Sequence, residues 1–96
     1  MKIDFYTKYY NKFSNIIKLN QRDYNKLELA AKEISNLKKQ KKKIIIFGNG
    51  GSSAIASHVA VDLTKNTRIK TIPLTDSSLI TCFSNDFGHD NWMKKA

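Results

Sequence analysis

The sequence has little cysteine, proline and glycine and no long hydrophobic run, and these absences exclude several classes of protein. The single cysteine, Cys82, cannot form a disulfide within the chain, which excludes a disulfide-stapled secreted domain. No apolar run approaches the roughly 18–20 residues that cross a bilayer, and residues 1–6 lack the apolar core of a signal peptide. We therefore expect a cytoplasmic protein that does not enter a membrane.

Positive charge is abundant and unevenly placed. Residues 1–43 carry twelve lysines and arginines against four acidic residues, which accounts for most of the formal net charge of +9. The run Lys38–Lys43 would attract nucleic-acid phosphates, or it would serve as a solvated helix end that complements the helix dipole. Because no recognisable nucleic-acid motif accompanies the charge, we do not expect a nucleic-acid partner.

Two amphipathic helices are predicted in residues 1–43. Asn20 separates them and is suited to cap the second, with Asp23 three residues later. The aromatic stripe of the first helix is expected to pack against protein, across a subunit interface. The apolar residues that recur at helical spacing are Tyr6, Tyr9, Tyr10, Phe13, Ile16 and Ile17, followed by Leu27, Ala30, Ala31, Ile34 and Leu37.

Residues 44–96 have the pattern of an α/β domain. Ile44–Phe47 is all apolar, which indicates a strand covered on both faces in a parallel sheet. A helix over Ser53–Lys65 and a second strand over Ile69–Leu74 complete a βαβ unit. Asp76, Ser77 and Ser78 are expected to supply capping side chains for a short helix through Phe83, in which Cys82 would be a small buried side chain. The chain is thus divided into N-terminal helices, 1–43, and part of an α/β domain, 44–96.

A glycine-rich turn, Gly48–Ser52, lies between the first strand and the helix. Such a turn presents backbone N–H groups and the positive end of a helix dipole, which suits a phosphate. A nucleotide is a second interpretation, because Gly48 and Gly50 match part of a dinucleotide fingerprint whose third glycine is Ser53 here. Asp76 would then take the place of the acidic ribose ligand. A purely structural turn is the third interpretation, and spacing alone leaves all three open.

The helix after the turn carries His58 and Asp62, four residues apart and hence on one face. A histidine and a carboxylate at this spacing can bind a divalent metal such as zinc, or the carboxylate can act as a general base. An ordinary surface pair explains the same spacing, so the pattern alone does not decide between these roles.

Several motifs in order resemble the phosphoheptose isomerases of the SIS (sugar isomerase) domain superfamily. They are Gly48–Ser52, His58 with an acid at 62, Leu74–Thr81 and Ser84–Gly88. The resemblance implies a mainly parallel sheet between helices and a homotetramer with active sites between subunits. It also implies isomerisation of sedoheptulose 7-phosphate to a heptose 7-phosphate, commonly with zinc.

The resemblance also implies roles for individual residues. His58 resembles a metal ligand of the family. Asp62 stands where the family has a glutamate that binds metal and shuttles the proton, so its carboxylate is one methylene shorter. His89 departs from the aromatic residue usual at that position. The residues implied to line the sugar-phosphate site are Asn49, Gly50, Gly51, Ser52, Asn85 and Asp86.

The sequence runs through only about half of the family pattern. The phosphate-gripping loop and the later glutamine and histidine of the metal site have no counterpart, so we expect a truncated SIS domain. Two functions fit this expectation: a phosphosugar isomerase or part of one, and a non-catalytic sugar-phosphate-binding or oligomerisation module. Its partners would then be a sugar phosphate and either further copies of the chain or a related SIS chain. A nucleotide-binding domain remains as a third function.

Overall fold

The computed structural model describes residues 2–96, which divide into two units, one ending at Glu33 and one spanning Ile34–Ala96. Helices and a parallel sheet occur together, which confirms the predicted α/β class. The elements in chain order are α1 (Lys2–Ile16), α2 (Gln21–Lys39), β1 (Ile44–Ile46), α3 (Gly51–Thr67), β2 (Thr71–Pro73), α4 (Ser77–Phe87) and α5 (Trp92–Lys95).

The start of α2 is defined by a reciprocal cap. The backbone N–H of Asp23 donates to Asn20 Oδ1 at 3.1 Å, and the backbone N–H of Asn20 donates to Asp23 Oδ2 at 3.0 Å. Both bonds satisfy donors that lack partners within the helix. The predicted cap at Asn20 is therefore confirmed.

The α1 helix buries none of its own side chains. Its large apolar residues range from 51% exposed at Phe13 to 72% exposed at Ile16. Phe5 contacts Tyr6 and Tyr9 with ring centroids 5.6 and 6.1 Å apart, so the stripe packs partly on itself. The helical spacing is confirmed, whereas the packing of this stripe across a subunit interface stays a prediction.

The sheet has two parallel strands joined by the α3 crossover. Ile44 pairs with Thr71 and Ile46 pairs with Pro73, and Ile44 N–H donates to Lys70 O at 2.9 Å. Both strands are shorter than predicted. The expectation that β1 is covered on both faces is wrong, because Ile45 is 46% exposed while its two neighbours are half-buried. Side chains alternate across a strand, and only one face of β1 is covered in residues 2–96.

The core of the second unit is small and built around α3. Ala56 and Ala60 are 2% and 3% exposed, and Ile69 is 3% exposed. Alanines at i and i+4 lie on one face of the helix and allow its backbone to approach the sheet closely. Trp92, on α5, is the most deeply buried large side chain at 1% exposed.

Three features after β2 differ from the sequence-based expectation. The α4 helix extends four residues beyond Phe83, and the short helix α5 was not predicted. Cys82 is exposed rather than buried, because it lies on the solvent face of α4. None of the helices described in residues 2–96 combines the length and the apolar character needed to span a membrane.

Candidate functional site

The glycine-rich turn has a backbone that only glycine fits at two positions. A Cβ at Gly48 would overlap the backbone carbonyl group of Ser52, so β1 and the start of α3 approach each other too closely for any side chain. Gly50 has φ +53° and ψ −122°, a region that residues with a Cβ rarely adopt. The turn is therefore held in one conformation by the close approach of β1 and α3.

The conformation of the turn leaves two backbone donors at its tip. Ser52 N–H donates to Asn49 O at 2.9 Å, and Ser53 N–H donates to Gly50 O at 3.0 Å. Across residues 2–96, no backbone acceptor pairs with the N–H of Gly50 or Gly51. These two groups lie at the N-terminus of a 17-residue helix, where the dipole favours negative charge. The turn is suited to hold an anionic oxygen.

The Asn49 side chain is anchored from the far end of the unit. Trp92 Nε1 donates to Asn49 Oδ1 at 3.1 Å, a contact that spans 43 residues of sequence. Trp92 was missed by the sequence reasoning. Its signal was available, because it is the sole tryptophan of the chain and stands in a largely polar segment.

An exposed stripe along α3 connects the turn to the histidine–aspartate pair. Gly51, Ile55, His58 and Asp62 follow a spacing of i, i+4, i+7 and i+11, which places all four on one face of the helix. All four are exposed, with Ile55 at 66%. A rise of about 1.5 Å per residue puts Asp62 about 16 Å along the helix axis from Gly51. A ligand that contacts both ends of the stripe must therefore be long.

His58 and Asp62 form a pair at the lower end of this stripe. His58 Nε2 lies 3.5 Å from Asp62 Oδ2, and the side chains are 78% and 51% exposed. Both side chains therefore face solvent in the described residues. Zinc accepts nitrogen and carboxylate donors but takes at least three of them from protein. Because residues 2–96 hold no cluster of three or more such donors, this pair alone does not fit a zinc site.

Asn85 and Asp86 lie together near the end of α4. Asn85 Nδ2 donates to Asp86 Oδ1 at 3.2 Å, and the Cys82 thiol donates to Asp86 Oδ2 at 3.6 Å. The negative charge of Asp86 raises the pKa of the Cys82 thiol above its ordinary value, and the hydrogen bond that Asp86 accepts raises it further. No hydrogen bond recorded for residues 2–96 joins Asn85 or Asp86 directly to the glycine-rich turn.

Asp76 caps the helix α4, and this structural role competes with nucleotide binding. Its carboxylate accepts hydrogen bonds from the N–H groups of Ser78 and Leu79, at 2.7 and 3.2 Å, and so caps α4. Beside it, Ser57 and Thr75 share a 2.7 Å hydrogen bond that ties α3 to the loop after β2. A carboxylate engaged in a cap is a poor ribose ligand, so the nucleotide interpretation loses its acidic residue.

Comparison with known proteins identifies the class to which this fold and turn belong. The SIS domain family matches residues 8–91, which is most of the chain. The chain belongs to the SIS domain family.

Phosphoheptose isomerases are among the curated proteins similar to this chain. That of Campylobacter concisus is 41% identical over 70 residues, which cover 67% of this chain and 37% of the relative. Those of Sulfurimonas denitrificans and Cytophaga hutchinsonii are 38% and 40% identical, over 75% and 79% of this chain and 40% and 42% of the relatives. The chain thus spans about two fifths of the length of these relatives. No solved structure matches it significantly.

Proposed function

We propose that this chain is a phosphosugar isomerase, or a part of one, that interconverts sedoheptulose 7-phosphate and a heptose 7-phosphate. The observation that carries the proposal is the exposed stripe of α3. One end offers the free N–H groups of Gly50 and Gly51, and the other end, about 16 Å away, offers a carboxylate and an imidazole. The two ends are separate, as they must be for a sugar phosphate whose reacting carbons, C1 and C2, lie at the opposite end of the molecule from the phosphate. The names of the similar proteins support the same substrate class.

In the proposed reaction Asp62 is the catalytic base. Its carboxylate removes a proton from C1 of the ketose, and the electron pair left behind forms the C1–C2 double bond of an enediol. The same proton returns to C2, while the hydroxyl proton at O1 is lost and O2 gains one, so that the aldose forms with no net change in atoms. A positioned base of this kind typically contributes 10²- to 10⁴-fold in rate.

His58 has a supporting role in this proposal. Its Nε2, 3.5 Å from Asp62 Oδ2, is placed to hold the carboxylate in one orientation. The phosphate end of the sugar phosphate is bound by Asn49 and Ser52, together with the N–H groups of Gly50 and Gly51. Zinc is not assigned a step, because two donors do not make a zinc site. In this proposal, His58 and Asp62 would hold a zinc ion only together with ligands that another polypeptide chain supplies.

Asn85 and Asp86 are proposed to contact substrate hydroxyls, and the protein is proposed to act in the cytoplasm. The partners proposed are a sugar phosphate and a second SIS chain, either another copy or a relative. A second chain is needed on physical grounds, since His58 and Asp62 are exposed and a water-excluding site requires further walls.

The decisive experiment measures isomerisation of sedoheptulose 7-phosphate by the purified chain and by Asp62→Asn. We expect Asp62→Asn to lower kcat/KM by 100-fold or more, because the amide cannot accept the proton. Asp62→Glu, which restores the longer side chain, should retain or raise activity. Asp90→Asn is the matched control, since it removes another exposed carboxylate outside the stripe. Turnover that is equal in wild type and Asp62→Asn would refute the proposal.

The exposed apolar surface of α1 favours a second candidate function, an oligomerisation module. Large apolar side chains that are more than half exposed mark interaction surfaces when they are contiguous. This candidate function is tested by measuring the oligomeric state of the wild type and of Phe13→Glu by sedimentation. Lys12→Gln, on the same helix, is the control. The module is supported if Phe13→Glu alone shifts the oligomer toward monomer, and it is rejected if all three sediment as monomers.

A further inference from the structure

We propose that Trp92 is a positioning residue that orients the side-chain amide of Asn49, so that its NH₂ group faces an oxygen of the bound phosphosugar. The inference rests on the proposed function, because it assigns Asn49 to the substrate. It adds to that function a residue outside the turn, on a helix that the sequence did not predict.

Burial makes Trp92 a rigid anchor. It is 1% exposed, although it lies in a four-residue helix whose next lysines, Lys94 and Lys95, are exposed. Its indole contacts Phe47, the residue before the turn, with ring centroids 5.9 Å apart and planes at 70°. This edge-to-face contact holds the indole against the end of β1. The N–H group of Trp92 is therefore presented to the turn from a fixed position.

The chemistry of indole determines which way the Asn49 amide points. Indole Nε1 is a donor only, so the atom that it contacts at 3.1 Å must be the amide oxygen. With Oδ1 engaged, the two N–H donors of Nδ2 remain for a ligand. The oxygens of a phosphate dianion or a carbonyl group only accept hydrogen bonds, which these donors match. The opposite orientation would place Oδ1 against those oxygens and repel them.

Asn49 itself is exposed, so without the indole its amide would rotate freely in water. The Trp92 contact removes this freedom before the ligand arrives, and preorganisation lowers the entropic cost of binding. The same contact ties the turn to the chain that follows Asn85 and Asp86. A single hydrogen bond thus orients one proposed ligand group and ties the turn to α5, which contacts the helix that carries two others.

The hydrogen bond is first tested without ligand. Trp92 is the sole tryptophan, so its indole N–H gives one identifiable signal in an ¹⁵N-correlated NMR spectrum. We expect this proton to exchange slowly with solvent, and we expect Asn49→Ala to speed its exchange at least tenfold while the ring stays buried. An indole proton that exchanges equally fast in both proteins would overturn the inference.

Binding is then measured by calorimetric titration of sedoheptulose 7-phosphate into wild type, Trp92→Phe, Asn49→Ala and the double variant. Trp92→Phe keeps an aromatic ring against Phe47 but removes the donor, and we expect about tenfold weaker binding, the effect of one hydrogen bond. In the Asn49→Ala background the same change should have no further effect, because the positioned group is gone. Phe47→Leu loosens the ring contact that holds the indole but keeps the donor, so we expect it to weaken binding less than Trp92→Phe does.

The outcomes separate the two proposals. If wild type binds and Trp92→Phe binds equally well, or if the two single effects simply add, Trp92 is only structural and the inference is wrong while the proposed function stands. If the wild type does not bind sedoheptulose 7-phosphate at all, both the proposed function and this inference are wrong.

Discussion

The α1 helix and the unit of residues 34–96 use apolar side chains in opposite ways. In α1 the large aromatic residues are more than half exposed, and none is buried. In the second unit the buried residues of α3 are two alanines, which let the helix approach the sheet closely. The large side chain that is buried there is Trp92, which lies on α5. The comparison teaches that a strong amphipathic pattern predicts a helix but does not say what covers its apolar face.

The proposed site residues follow this division. All of them lie in the second unit, where β1, α3 and α5 meet at the glycine-rich turn. Substitutions in that region should therefore damage stability or binding, whereas substitutions in the α1 stripe should change association instead.

The largest loss of stability is expected from Gly48→Ala. The new Cβ would overlap the Ser52 backbone, so β1 and α3 must separate at a cost of about 3 kcal/mol or more. Urea titration followed by Trp92 fluorescence measures the loss. Gly51→Ala is the matched control, because a Cβ there meets no atom within 4 Å, and its stability should be close to wild type. Equal stability of the two variants would contradict the close approach of β1 and α3.

A medium loss is expected from Asp76→Ala. The carboxylate caps two N–H groups of α4, and losing an N-cap costs about 1 kcal/mol. Asp76→Asn should retain most of the stability, since asparagine is an equally good cap. Thermal unfolding by circular dichroism compares the three proteins. An asparagine variant as unstable as the alanine variant would show that charge, rather than capping, is what Asp76 contributes.

A smaller effect is expected on the reactivity of Cys82. Because Asp86 raises the pKa of this thiol, less of it is thiolate at pH 8 than in a free cysteine, and alkylation is slower. Asp86→Asn removes the charge, lowers the pKa toward its ordinary value and should speed alkylation severalfold. Iodoacetamide labelling followed by mass spectrometry measures the rate. Asp90→Asn should leave it unchanged, and a similar acceleration in both variants would argue against a specific Asp86 contact.

The smallest change in stability is expected from Tyr10→Ser in α1. Tyr10 is 68% exposed, and tyrosine and serine have similar helix propensities, so unfolding should change by less than about 0.5 kcal/mol. Urea titration at two protein concentrations checks this. A loss of unfolding free energy above about 1 kcal/mol that grows with protein concentration would contradict the contrast between α1 and residues 34–96. It would mean that an associated chain covers the stripe.

Much of the secondary structure was predictable because its signals are local. The cap at Asn20, the strand at Ile44 and the helix after the glycine-rich turn depend on neighbouring residues and are present in the structure. The strand ends one residue earlier than predicted, and the helix extends two residues further at each end. The carboxylate of Asp76 was assigned two roles, and only its capping role is visible in the structure. Cys82 was misplaced because helical spacing does not show which face of α4 meets solvent.

The sequence by itself determined the α/β class, the turn and the spacing that puts His58 and Asp62 on one helix face. These properties follow from the periodicity of the helix and from the conformational freedom of glycine, which act over a few residues. Only the tertiary structure decided that Trp92 donates to Asn49 and that the α1 stripe is exposed. A contact between residues 43 apart depends on how whole elements pack, and packing is not encoded in any short stretch of sequence.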